Sequence, residues 1–168
     1  YMPETEEMNP YRKIALSPLN QLPENSEPGL TCHLYRGGLQ SAAMAGEGKQ
    51  ELMETGTMTL PCIPKNAGKQ DYSLVLEGYL CVPYPHEVLF KLGSTDGAIL
   101  WLNDERILDL DEPHDYQEQT VCAVLQKGIY ALRIQYTSFR HEGELKILQT
   151  NPAGEFEEMN PGTLFHTT

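Results

Sequence analysis

Positive charge is scarce in this sequence: 12 Lys and Arg stand against 24 Asp and Glu over 168 residues, a formal charge of −12. Binding phosphates depends on clusters of Lys and Arg that displace counterions, so the composition argues against a nucleic-acid partner. An anionic membrane surface is disfavoured on the same ground. No apolar run approaches the roughly 20 residues of a membrane-crossing helix, so no membrane insertion is expected. Residues 1–7 have neither the basic start nor the apolar stretch of a signal peptide. The chain begins at Tyr1, which reads as an excised or processed piece of something longer. Motif spacings are missing too. Without a G-x-S-x-G, Ser94 is a turn serine and not a nucleophile. The histidines His33, His86, His114, His141 and His166 show no H-x-H or H-E-x-x-H and read as surface or loop residues. Cys32, Cys62, Cys81 and Cys122 include no C-x-x-C, which leaves neither a zinc ribbon nor a thioredoxin-type motif. Most of them read as small buried hydrophobes, because a core of this size does not need disulfide staples.

What is present is alternation. From Glu87 to Asp109 apolar and polar residues alternate, break at Ser94 to Gly97, alternate again and break at Asn103 to Glu105, which predicts three strands and two turns. Val88, Phe90 and Leu92 share one face of the first strand. The strand after Gly97 is apolar on both sides and is expected inside its sheet, with Trp101 packed in the core. In the loop Gly93 to Gly97, two glycines able to adopt positive φ and an Asp able to bond its own backbone account for the turn. Further strands are expected over Gly29–Arg36, Thr57–Leu60, Tyr72–Val82 with a kink at Gly78, Val121–Leu125, Tyr130–Tyr136 and Leu145–Gln149. A single helical turn is expected over Gln50–Glu54. Short strands at this spacing, separated by turn residues, predict an all-β sandwich. Length sets one domain over residues 29–168. Residues 1–28, rich in Pro, Glu and Asn with a short strand at Arg12–Leu16, are a linker or edge extension. The pentapeptide Glu6–Pro10 recurs as Glu157–Pro161, too short to mark a repeat architecture.

The stretch Phe90-Lys-Leu-Gly-Ser-Thr-Asp-Gly-Ala-Ile-Leu-Trp-Leu-Asn103 resembles the core of a PA14 domain, whose pattern runs roughly aromatic-x-Leu-x-Ser-Asp-Asp-Gly-small-x-Leu-x-Ile-Asp. Gly29–Tyr35 is similar to that family's opening strand, Leu76–Pro83 to the strand before the core, and Val124–Tyr136 to a late hairpin. The resemblance implies an antiparallel β-sandwich of jelly-roll type, a module found attached to glycosidases, adhesins and toxins. It also implies a site. In lectin-like members two adjacent aspartates at the Ser-Asp-Asp-Gly turn, joined by a cis peptide, hold calcium that grips sugar hydroxyls, and a later loop adds an Asn. Here the two positions are Thr95 and Asp96, and Thr137–Gly143 offers no Asn or Asp. With the first carboxylate gone no metal is expected, Asp96 alone remaining for a degenerate calcium site.

Aromatic rings in loops are the usual platforms for sugars, which makes Tyr84 and Tyr116 candidates beside Thr95 and Asp96. His114, in the acidic loop Asp104–Glu118, completes the candidate set. That loop lacks the EF-hand spacing and reads as solvated. Carboxylate pairs such as Asp96 with Asp109 carry no specific signal among 24 acidic residues. The resulting expectation is a non-catalytic glycan-binding accessory module beside a catalytic domain, in a secreted, periplasmic or surface protein. The alternatives are a structural or protein-interaction module and, third, a stand-alone glycan-active enzyme.

Overall fold

The structure, a computed structural model, describes residues 11–19, 21–48, 50–64, 67, 71–112, 114–139 and 143–167. His141 and the first copy of the repeated pentapeptide lie outside the described residues. Thirteen strands form among those described: β1 (Lys13–Ala15), β2 (Ser26–Pro28), β3 (Leu30–Arg36), β4 (Leu52–Met58), β5 (Tyr72–Val82), β6 (His86–Ser94), β7 (Ala98–Leu102), β8 (Glu105–Leu110), β9 (Gln117–Leu125), β10 (Gly128–Ser138), β11 (Leu145–Thr150), β12 (Phe156–Glu158) and β13 (Leu164–Thr167). One sheet runs β1-β9-β6-β11-β12. The other runs β4-β3-β5-β10-β7-β8, with β13 joining β5 past the end of β3 and β2 joining β13.

Between β5 and β11 every connection crosses from one sheet to the other except the β7–β8 turn. That path makes an antiparallel β-sandwich of jelly-roll type, with the parallel β1–β9 pair as the exception. The inward stripe of β10, Tyr130, Leu132, Ile134 and Tyr136, is fully buried against a core that includes Val88, Phe90 and Leu92 of β6. Each such side chain contributes about 1.5–3 kcal/mol by leaving water. The segment before β2 is tied to the sandwich at several points: Tyr130 donates to the Leu16 carbonyl, Asn103 to that of Ser17, and Arg12 to that of Ile107.

Several local expectations change. Gln50–Glu54 is not helical, because β4 starts at Leu52 and pairs with β3, and that ladder overrides local preference. Val124–Tyr136 is not a hairpin: β9 lies between β1 and β6, whereas both edges of β10 are filled by β5 and β7. Gly78 does not kink β5, which pairs with β10 through eleven consecutive residues. A Cβ there would strike the Phe165 carbonyl of β13, so glycine permits a close backbone approach. Trp101 is half-buried on the outer face of its sheet, its indole N–H donating to Gln135 Oε1 at 2.8 Å and Arg106 stacked 4.9 Å from the ring. His166 sits buried on β13 and not in a loop. All four cysteines are free: Cys32 and Cys122 are buried, Cys81 is half-buried and Cys62 exposed. Burial pushes the Cys32 thiol up to about 11.

Candidate functional site

Strand β6 runs the length of the sandwich, about 25 Å, and each of its ends builds a different environment. At its C-terminal end the turn containing Thr95 and Asp96 is closed. The two residues are 8% and 2% exposed. Thr95 exchanges bonds with Glu144, its N–H donating to the Glu144 carbonyl at 3.1 Å and its Oγ1 accepting from the Glu144 N–H at 2.8 Å. That hydroxyl also meets Tyr136 OH at 3.5 Å. Asp96 Oδ2 accepts from the Phe139 N–H at 3.0 Å, and its own N–H donates to the His114 carbonyl at 2.8 Å. Ser94 Oγ donates to the Asp96 carbonyl at 2.8 Å, the turn role expected of it. Behind this network Tyr72 and Tyr136 pack ring to ring at 5.9 Å, and burial raises both phenols above the ordinary Tyr range.

The turn's glycines do a different job from the one expected. Gly93 and Gly97 do not adopt positive φ; Asp96 does, at +63°. A Cβ at Gly97 would collide with the Asp111 carbonyl, and one at Gly93 with the Tyr116 hydroxyl, so both glycines make room for chain lying across them. Asp96 does not close a local Asx turn through the bond to Phe139, which comes from the far side of the closing loop. Among the described residues no peptide bond is cis.

The remaining candidates divide between the two ends. His114 and Tyr116 lie with the closed turn. His114 faces its own loop, one ring nitrogen near the Leu110 carbonyl at 3.2 Å. Tyr116 lies over Gly93, donates to Glu118 at 2.9 Å and takes Lys146 at 5.6 Å over its ring; burial first, then the hydrogen bond to Glu118, pushes its phenol up to about 12. Asp109 pairs with Arg106 at 2.9 Å. The loop is not simply solvated. Asp111 accepts from Ser41 Oγ at 2.8 Å and from the Ala42 and Ala43 N–H groups, holding the short 3-10 turn Ala42–Met44.

Tyr84 stands at the other end of β6, 49% exposed, where a cleft of about 750 Å³ opens. Its ring packs against His86 with centroids 4.7 Å apart, and His86 Nδ1 lies 2.8 Å from the Tyr84 carbonyl. The opposite wall comes from the β11–β12 turn. Asn151 Oδ1 accepts from the N–H groups of Ala153 and Glu155 at 3.0 Å each, and Asn151 Nδ2 donates to Glu157 at 3.3 Å. Asn160 contributes from the next turn, fixed by accepting from the Gly162 N–H at 2.9 Å. Those amides and Glu157 were absent from the candidates read in sequence. In sequence Asn151-Pro-Ala-Gly154 signals a turn and nothing about what that turn faces. A cleft of this size, with a partly exposed aromatic on one side and fixed amides and a carboxylate on the other, can pack a small polar molecule against a ring and bond its hydroxyls.

The two-sheet jelly roll defines the class of domain, and comparison with known proteins gives the family. The PA14 domain family model matches residues 26–156, and the chain belongs to that family. No curated protein matches it. Among solved structures it resembles an anti-sigma factor domain-containing protein at 19% identity and TM-score 0.70, covering 88% of this chain but only 50% of that one. It also resembles a subtype-switched Epithelial Adhesin A domain (Epa9-CBL2Epa1) from Candida glabrata, solved with β-lactose, at 12% identity and TM-score 0.69 over 94% of this chain and 95% of that one. A PA14 sugar-binding domain from an RTX adhesin matches at 16% identity and TM-score 0.65, over 83% and 98%. At these identities the likeness is one of fold.

Proposed function

We propose that this domain is a non-catalytic carbohydrate-binding module that holds a saccharide in the Tyr84 cleft without calcium. The observation that carries the reading is Tyr84 itself, a large ring 49% exposed at the mouth of a preformed cleft and paired with His86. An exposed aromatic face offers a sugar's C–H patches an apolar partner, and the fixed amides of Asn151 and Asn160 reduce the ordering cost of binding its hydroxyls. The Thr95–Asp96 turn does not fit a calcium cage. Thr95 supplies a hydroxyl where the calcium-binding pattern has a carboxylate, that oxygen is engaged by Glu144, and Asp96 already accepts from Phe139. Among the described residues no three His, Cys, Asp or Glu side chains converge on a metal position. Sugar-binding PA14 relatives support the glycan reading, and their adhesin setting supports an extracytoplasmic parent.

A second reading, an interaction module that orients a neighbouring domain, is favoured by β4. Among the described residues this strand pairs with β3 at the margin of its sheet, and it exposes Leu52, an apolar side chain that a partner could cover. Affinity electrophoresis in gels containing neutral polysaccharides separates the two. Retardation by at least one polysaccharide, lost in Tyr84→Ala and kept in Tyr116→Ala, supports the cleft. Migration unaffected by every polysaccharide supports the interaction module.

A further inference from the structure

Charge sets a constraint on what the cleft can hold. Among the described residues its lining includes the carboxylates of Glu87 and Glu157 and the imidazole of His86, and no Lys or Arg. Glu87 is paired with Lys13 at 2.7 Å. Glu157 makes no ion pair among the described residues; its hydrogen-bond partner is the neutral amide of Asn151. The nearby Lys91 is committed elsewhere, its ammonium 4.0 Å above the Phe156 ring and 3.9 Å from Glu118. Among the described residues the cleft therefore presents, at Glu157, one carboxylate without an ion-pair partner, on a chain whose formal charge is −12.

Resting on the reading of the cleft as a saccharide site, we propose that it selects against sugars bearing carboxylate or sulfate and prefers amine-bearing sugars, with Glu157 receiving the ammonium group. A uronate brought beside Glu157 meets a like charge that no guanidinium or ammonium among the described residues of the cleft offsets. A protonated amino sugar gains a charge-assisted hydrogen bond at the same place. Asn151 donates to Glu157 while its own carbonyl oxygen is held by two backbone N–H groups, so the carboxylate on β12 is oriented by a fixed turn. Because Glu157 is exposed, the expected amine advantage is modest, about two- to fivefold over the neutral parent sugar at physiological salt.

The test is an array of glucose, galactose and mannose, each displayed at equal density as the neutral sugar, the 2-amino sugar, its N-acetyl form and the uronate. It is probed at pH 7, above the ordinary imidazole range and below the ordinary amine range, in 0.15 M salt, roughly the ionic strength at which distant charges are screened. In each bound series the expected order is amine, then neutral and N-acetyl, then uronate. Glu157→Gln should erase the amine advantage and leave neutral binding. Glu112→Gln, which removes the same charge from an exposed site outside the cleft, should leave the order unchanged. Uronates bound as well as the neutral parents, or an amine advantage that survives Glu157→Gln, would overturn the selectivity while Tyr84-dependent neutral binding preserved the saccharide reading. Amine binding that persists in Tyr84→Ala would be attraction to net charge and would overturn it as well. No series bound by the wild type overturns both.

Discussion

The two ends of β6 use the same materials to opposite effect. At the Ser94 end hydroxyls and a carboxylate are consumed in bonds to the protein's own backbone, aromatic rings pack behind them, and Thr95 and Asp96 are buried. At the His86 end an aromatic ring stands exposed beside amides fixed by the turns that carry them, with a cleft between. Polar groups at the closed end stabilise the fold; those at the open end are oriented without being used up. The resemblance in sequence points to the closed turn, whereas the exposed ring and the cleft lie at the other end of the strand.

The contrast can be broken by substitution. The largest effect is expected at Gly97, where Val would drive a side chain into the Asp111 carbonyl and destabilise the domain by about 3 kcal/mol, read from urea unfolding. Asp96→Ala should cost about 2 kcal/mol, since it strands the Phe139 N–H and places Ala at φ +63°, which Asp and Asn tolerate better. Asp96→Asn, keeping the acceptor and the tolerance, should recover more than half of that loss. If Ala and Asn cost the same, the bond to Phe139 is not what holds the turn.

A smaller effect should appear with pH. Burial raises the phenols of Tyr72 and Tyr136 above their unfolded value of about 10, so folding favours the neutral forms. Their contribution is complete below about pH 10 and is lost as pH rises through the higher folded values. Urea midpoints should therefore fall on the alkaline limb, and Tyr136→Phe should flatten that fall. The least effect on stability is expected from Tyr84→Ala, within about 0.5 kcal/mol, because the ring is half exposed. Saccharide affinity should nevertheless drop about tenfold, as truncation of an aromatic anchor does.

The three strands from Glu87 to Asp109 were legible because alternation reports which residues face the core and the breaks fall at turn residues. Alternation does not report neighbours. It could not show that β6 and β7, or β9 and β10, belong to different sheets, and the hairpin that the resemblance placed over Val124–Tyr136 is a sheet-to-sheet crossing. Gly78, Gly93 and Gly97 were misread for a related reason. Sequence shows that a glycine is tolerated, whereas the need for it comes from Phe165, Tyr116 and Asp111 passing close by from distant parts of the chain. Trp101 looked like core because its neighbours are apolar, and only the strand's facing places it outside with Gln135 and Arg106. Tyr84 could be singled out from its position between two prolines. Its partners across the cleft could not, because β11 and β12 are brought to it by pairing with β6.

The most direct measurement is a broad glycan array probed with the wild-type domain in millimolar calcium and again in EDTA, with Tyr84→Ala run beside it. Binding unchanged by the chelator and lost in Tyr84→Ala is the expected result. Binding abolished by EDTA and retained by Tyr84→Ala would place recognition at the Thr95–Asp96 end and contradict the division between the two ends of the strand.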